Sequence, residues 1–255
     1  MHALKVEGLC KSFGGLQAIL NISLNLRTGE RLGIIGPNGA GKTTLFNLFT
    51  GLLRPDAGRI YMFDKDVTYT PIYRRIQAGL GRTFQVMNLL SNLTVIDNVV
   101  LGIQALGPSR FGMFRPLGAY GELVDEAKKL MVQWGLWESR NMLVRDLSYG
   151  QQRCLELIVS LASKPRLLLL DEPTCGMAPT EIASITNIIK NLDKDIAIIL
   201  IAHDMDLVFG LDLDRITVLH YGQVVATGSQ QEIKINPKVR EIYLGTEDVN
   251  SAPTD

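Results

Sequence analysis

Hydrophobic and polar residues alternate with period two through residues 3–33: Leu4 and Val6 against Lys5 and Glu7, then Ile22, Leu24 and Leu26 against Ser23 and Asn25. Successive side chains of a strand point to opposite faces, so this spacing predicts an antiparallel, half-buried sheet. Residues 31–35, Arg-Leu-Gly-Ile-Ile, read as a short buried strand. A glycine-rich turn follows, then a helix over residues 41–52 that Arg54, Pro55 and Asp56 bring to an end. Residues 94–162 predict mostly helix, with Thr94 and Asp97 placed to cap one segment and residues 122–134 forming another. Between these, residues 107–121 are rich in Gly, Pro and aromatics and read as a long surface insertion. Apolar strands and helices then alternate over residues 166–171, 179–192, 196–202, 205–211 and 215–220, which predicts a parallel α/β sheet interrupted by a helical segment. Residues 246–255 are polar, include a proline and predict a disordered tail.

Composition narrows the function. The 255 residues are 46% hydrophobic and 20% charged, with 26 basic against 26 acidic side chains. A balanced chain without blocks of like charge lacks the broad electrostatic footprint of a nucleic-acid binder, so no nucleic-acid partner is expected. The longest apolar runs, residues 167–170 and 196–202, fall far short of the roughly 18 to 20 residues that span a bilayer, and residues 1–31 lack a signal-peptide layout. A soluble chain is expected. Cys10, Cys154 and Cys175 have neither metal-ligand spacing nor a flanking histidine pair, and read as small buried residues, with no disulfide and no zinc.

Gly36, Pro37, Asn38, Gly39, Ala40, Gly41, Lys42 and Thr43 fit the pattern G-x-x-x-x-G-K-[ST]. Chance gives that pattern in on the order of one chain in a hundred of this length. Here it also falls between an apolar strand and a helix, where glycines let backbone N–H groups curl around phosphate oxygens and the helix N-terminus adds a favourable dipole. Lys42 then contacts the β- and γ-phosphates of a nucleotide, and Thr43 offers its hydroxyl to Mg²⁺. The complementary half is Leu167 to Leu170 followed by Asp171 and Glu172. A strand buried on both faces ends in two carboxylates when something at its carboxyl edge uses them. Asp171 suits Mg²⁺, and Glu172 suits the general base that polarises an attacking water.

Leu147, Ser148, Tyr149, Gly150 and Gln151, at the start of a helix and shortly before that strand, resemble the signature motif of ATP-binding-cassette ATPases. The resemblance covers residues 4–245, and the motifs come in the family's order. It implies a RecA-like P-loop NTPase core with an N-terminal antiparallel β subdomain and an inserted helical subdomain at about residues 86–164. It further implies that residues 1–245 form the nucleotide-binding domain. It also implies that Gly36 through Thr43, together with Thr44, hold ATP and that Ser148, Gly150 and Gln151 serve the ATP of a second subunit. Phe13 stands where an aromatic stacks on adenine. Gln85 stands where a glutamine senses Mg²⁺ and the attacking water, and His203 where a switch histidine touches the γ-phosphate.

Tyr149 in the signature, Gly81-Arg-Thr-Phe-Gln85, His203-Asp-Met205, the insertion after Gly102, and the ending from Asn236-Pro237 to Tyr243-Leu-Gly245 together resemble ATPase subunits of importers for branched-chain amino acids and related polar amides. The partners implied are a second cassette subunit, identical or related, two integral membrane permeases and an extracytoplasmic solute-binding protein. The place implied is the cytoplasmic side of the inner membrane, peripheral through the permeases. A soluble cassette ATPase of translation or DNA repair is the alternative, though such proteins usually carry two cassettes or long coiled coils. A small-molecule kinase or nucleotide switch would leave Ser148 and His203 unexplained. Three positions depart from the family pattern. Ala178 stands where many cassettes carry Asp or Asn, Val159 where the signature helix usually has an arginine with a local ion pair, and Tyr149 where the signature usually has its first glycine.

Overall fold

The fold is described from a computed structural model, which covers residues 1–83, 89–105, 121–202 and 205–247. The chain divides into two compact units, one of residues 1–75 and 193–255 and one of residues 76–192.

In the first unit, β1 (His2–Phe13) and β2 (Leu16–Arg27) form the antiparallel hairpin that the alternation predicts, and β1 also pairs with β4 (Ala57–Met62), which pairs with β5 (Lys65–Asp66). Leu4, Val6, Leu9, Ile19, Ile22 and Leu26 form the buried face. A second sheet of this unit places β3 (Arg31–Ile35) between β8 (Ala197–Ile201) and β9 (Arg215–His220), parallel to both, and β10 (Gln223–Gly228) adds an antiparallel edge. Every residue of β3 and β8 is buried, which is why β8, and β3 after Arg31, read as apolar runs rather than alternating ones. Around these strands lie α1 (Lys42–Thr50), α2 (Ile72–Gln77), α7 (Met205–Gly210), α8 (Gln230–Ile235) and α9 (Pro237–Glu247). Thus α9 continues two residues into the stretch read from sequence as tail. The rest of that stretch, and most of the insertion at 107–121, lies outside the described residues.

In the second unit, β6 (Leu80–Arg82) runs parallel to β7 (Leu167–Asp171), with Arg82 opposite Leu169. The helices are α3 (Val95–Gln104), α4 (Gly121–Gln133), α5 (Tyr149–Ala162) and α6 (Pro179–Lys190). Thr94 caps α3 as its sequence position predicts, accepting from the Asp97 N–H at 3.2 Å. Helices α3 and α5 approach closely where Gly102 faces Val159. A Cβ on Gly102 would lie 3.2 Å from Val159 Cγ1. Val159 is partly exposed, and nothing in the structure explains why it stands in place of the arginine. The same helix carries a buried ion pair between Arg153 and Glu156 at 2.8 Å. No helix among the described residues is long and apolar enough to cross a membrane.

The cysteines correct one expectation. Cys154 is buried, Cys10 is partly so, and Cys175 is exposed, because it sits in the turn between β7 and α6 rather than on an element's inner face.

Candidate functional site

The phosphate loop starts where β3 leaves the core. A Cβ on Gly36 would run into the Leu219 carbonyl oxygen, and one on Gly41, at φ 99°, would lie 2.5 Å from the Ala18 carbonyl oxygen. Only glycine lets the backbone pass this close. The loop closes around Lys42, which is buried and whose Nζ donates to the carbonyl oxygens of Gly36 and Pro37 at 2.6 and 3.0 Å. The residue that opens α1, Gly41, supplies no side-chain cap, so the first-turn N–H groups of Thr43 and Thr44 are oriented for an external acceptor, and Thr43 is exposed. Pro37, Asn38 and Gly39 form the loop's outer wall, while Ala40 is buried beneath it. The phosphate-loop residues read from sequence thus lie together in the turn between β3 and α1 and in the first turn of α1.

Three supports of this loop were not legible from its motif. Gly222, in the turn between β9 and β10, donates its N–H to the Ala40 carbonyl at 3.0 Å and accepts from the Leu20 N–H at 2.8 Å, tying loop to sheet. A Tyr-Gly pair between two β runs is a hairpin signal that could have found it. Arg75 is 1% exposed, and its guanidinium donates to the carbonyls of Leu48, Phe49, Thr68 and Thr70 at 2.9, 2.7, 3.1 and 2.9 Å. It therefore caps the C-terminal end of α1, the helix that follows the loop. Burial pulls this guanidinium down to about 10, and the charge of Asp66 pulls the other way. Tyr243 of α9 reaches the Gly36 backbone. Burial pushes its phenol up to about 12, partly offset by that backbone contact.

Phe13 ends β1 and is 46% exposed, so it is no core residue. The Lys11 ammonium lies 5.6 Å from its ring centroid and is held by Asp56 at 2.7 Å. That ammonium, with a hydrogen bond from the Ser12 N–H, keeps Asp56 below the usual carboxylate range. Phe13 pairs with Leu16, two residues before the Ala18 carbonyl that Gly41 abuts, so the ring stands at the end of the hairpin whose second strand meets the phosphate loop.

In the second unit, the buried strand delivers Asp171 and Glu172 as expected. The Asp171 side chain is 1% exposed and lies 3.3 Å from the Arg82 guanidinium, itself 7% exposed. The Asp171 N–H donates to Thr83 Oγ1 at 3.2 Å, and the Thr83 N–H donates to the Leu169 carbonyl at 3.0 Å. Burial lowers the Arg82 pKa, and Asp171 raises it. Glu172 has a left-handed backbone, φ 47°, an uncommon state for a residue without Asn or Gly character and one that turns its side chain out of the strand line. Among the described residues no cluster of three or more His, Cys, Asp or Glu could hold a metal unaided. One buried carboxylate with hard oxygen chemistry fits Mg²⁺, which is usually held by one or two carboxylates plus substrate phosphates.

The signature residues form a reciprocal helix cap: Ser148 Oγ accepts from the Gln151 N–H at 3.2 Å, and Gln151 Oε1 accepts from the Ser148 N–H at 3.0 Å. Gln151 thus bears on Ser148 directly. A Cβ on Gly150 would run into Glu181 Oε1, and Glu181 Oε2 accepts from the Ala178 N–H at 3.1 Å, so Ala178 uses its backbone where it lacks a polar side chain. Arg153 lies over the Tyr149 ring at 5.6 Å from the centroid, which packs the tyrosine that replaces the first glycine. Gln85 and His203 lie outside the described residues.

The ABC transporter family matches residues 19–175. The high-affinity branched-chain amino acid transport ATP-binding protein LivG of Salmonella typhimurium is 38% identical over 251 residues, spanning 95% of this chain and 97% of its own. The corresponding BraF protein of Pseudomonas aeruginosa is 34% identical over 250 residues, with 95% and 97% covered. The lipopolysaccharide export ATP-binding protein LptB of Acidithiobacillus ferridurans is 34% identical over 243 residues, with 95% and 96% covered. The crystal structure of MJ1267, an ATP-binding cassette of an ABC transporter in its ADP conformation, superposes with a TM-score of 0.85 at 32% identity, covering 96% of this chain and 99% of that one. With its phosphate loop, capped signature helix and paired carboxylates in that order, the chain belongs to the ABC transporter family as an ATP-hydrolysing subunit.

Proposed function

We propose that the chain powers an importer of branched-chain amino acids or related polar amides and amino acids. It works on the cytoplasmic side of the inner membrane, beneath two integral membrane permeases that receive solute from an extracytoplasmic binding protein. The observation that carries this reading is the 38% identity to LivG across 95% of this chain, which extends well beyond the ATPase motifs.

In this reading the phosphate loop, Gly36 through Thr44, wraps the phosphates of ATP, with Lys42 exchanging its loop carbonyls for β- and γ-phosphate oxygens. Phe13 stacks on adenine. Thr43 and Asp171 hold Mg²⁺, with Gln85 as its sensor; when bound, the ion neutralises phosphate charge and fixes the geometry of in-line attack. Glu172 takes the proton of the attacking water, and His203 touches the γ-phosphate. Ser148 and Gly150, with Gln151 holding the cap, complete the ATP site of a second cassette, whether a copy or a relative. Two cassettes close on two nucleotides because phosphate charge at the interface is held from both sides, and they reopen once hydrolysis removes that charge.

The test is to purify the tagged chain from its own cells' membranes in mild detergent and identify its companions by mass spectrometry. Two polytopic membrane proteins should accompany it, and uptake of labelled leucine should fall to background in cells carrying Glu172→Gln. Recovery with lipopolysaccharide-export components, or only from the soluble fraction with ribosomes or DNA-repair proteins, would overturn the importer reading.

A further inference from the structure

Asp171 and Arg82 form a pair that the ATPase reading leaves unused. Both side chains are almost fully enclosed, 1% and 7% exposed, and their nearest atoms, Oδ2 and Nη2, lie 3.3 Å apart. The backbone fixes both ends. Arg82 closes β6 opposite Leu169 of β7, and the Thr83 hydroxyl and amide tie the next residue to Asp171 and Leu169. A carboxylate taken out of water must be given a positive partner, and here the fold supplies one from the neighbouring strand.

We propose that Arg82 is the resident counter-cation of Asp171, a positioning residue that occupies the carboxylate between turnovers and weakens its hold on Mg²⁺. This rests on the reading of Asp171 as a metal-holding residue. The guanidinium and the metal carry the same sign and share one carboxylate, so each weakens the other's hold. A bare divalent ion therefore gains little at Asp171. One that arrives with ATP phosphates gains enough, and it leaves with the products. Arg82 thereby couples metal occupancy to nucleotide occupancy, and it keeps Asp171 in one orientation while the metal is away.

The probe is Mn²⁺, titrated against the full chain and followed by electron paramagnetic resonance, with and without a non-hydrolysable ATP analogue. Arg82→Met, which removes charge and keeps bulk, should bind Mn²⁺ about tenfold more tightly than the unmodified protein in the absence of nucleotide. Arg82→Lys, which keeps the charge, should stay within about twofold of it. Arg82→Gln serves as a second neutral variant should Arg82→Met fail to fold. Unchanged or weakened Mn²⁺ binding in a neutral variant that melts cooperatively would overturn the proposal. Asp171→Asn separates the two readings. If it abolishes Mn²⁺ affinity while the neutral Arg82 variants leave affinity unchanged, Arg82 loses its role and Asp171 keeps its own. If it leaves affinity intact, the metal-holding reading of Asp171 fails, and the role of Arg82 fails with it.

Discussion

Gly41 and the Ala18 carbonyl oxygen approach so closely that a single added methyl group at residue 41 would stand 2.5 Å from that oxygen. The glycine that opens the phosphate helix is thus pinned by strand β2. Gly39, two residues earlier, also has a left-handed backbone, φ 79°, but nothing lies within 4 Å of its added Cβ. The two alanine variants should therefore separate. Gly39→Ala should cost only the backbone term, about 1 kcal/mol in nucleotide-free denaturant unfolding. Gly41→Ala adds a steric clash with backbone and should cost more than about 3 kcal/mol. Equal losses would mean that β2 does not hold the loop.

Arg75 makes the opposite kind of contribution, at the far end of the same helix. Its four hydrogen bonds go to the carbonyls of Leu48 and Phe49 at the helix end and of Thr68 and Thr70 beside it, of which Leu48 also accepts from the Gly51 N–H at 3.2 Å, and it is 1% exposed. Truncation to Ala should cost about 3 to 5 kcal/mol, by leaving buried acceptors unpaired and opening a void. Arg75→Lys should recover only part of this, since an ammonium cannot fork to both Leu48 and Thr68. The check is the midpoint of urea unfolding for the three proteins. A Lys variant as stable as the original would show that charge, not the planar fork, does the capping.

The phosphate loop, the buried strand ending in Asp171 and Glu172, and the capped helices at Thr94 and Ser148 were legible because each is written locally, in spacing within a dozen residues. Arg75, Gly222 and Arg82 were not. Each acts on a partner distant in sequence: Arg75 on Leu48 and Phe49, Gly222 on Ala40, Arg82 on Asp171. One of two adjacent arginines in a six-residue helix carries no sign of the helix end it will cover. The exposure of Cys175 was misread for a related reason, because the preference of cysteine for burial says nothing about the turn in which this one falls.

Cys154 gives stability an alkaline edge. Burial raises its thiol from 9.0 to about 11. The folded protein therefore keeps a proton that the unfolded chain releases, so the stabilisation is fully present below pH 9 and is lost as pH rises from 9 to about 11. Two pH units correspond to roughly 2 to 3 kcal/mol. Cys154→Ala should be less stable at pH 8 but should show a flatter loss between pH 9 and 11. Thermal melts across that range read the difference. Parallel curves for the two proteins would remove Cys154 as the cause.

Cys175 lies three residues beyond the proposed base, exposed, in the turn from which α6 starts at Pro179. In the free subunit it should be the first cysteine to react with a maleimide at pH 7, because Cys154 is enclosed and Cys10 is partly covered by contacts with Gly8 and Asn21. The proposed cycle gives this reactivity a use. We propose that residues 173–178 come to the interface when two cassettes close on ATP, since Ala178 stands at a position that in many cassettes joins the two sites, and that Glu172→Gln holds that state by blocking the proton transfer that ends it. ATP with Mg²⁺ should then slow labelling of Cys175 at least about tenfold in Glu172→Gln, while ADP leaves the rate unchanged and size exclusion shows a dimer only with ATP. The expectation is specific to closure, because nucleotide bound within one subunit would leave that turn in water. Labelling that stays fast in an ATP-dependent dimer would place the contact surface elsewhere on the chain. Fast labelling without any dimer would leave this subunit to close only on a related cassette, and repeating the measurement in the purified membrane complex would show whether it does.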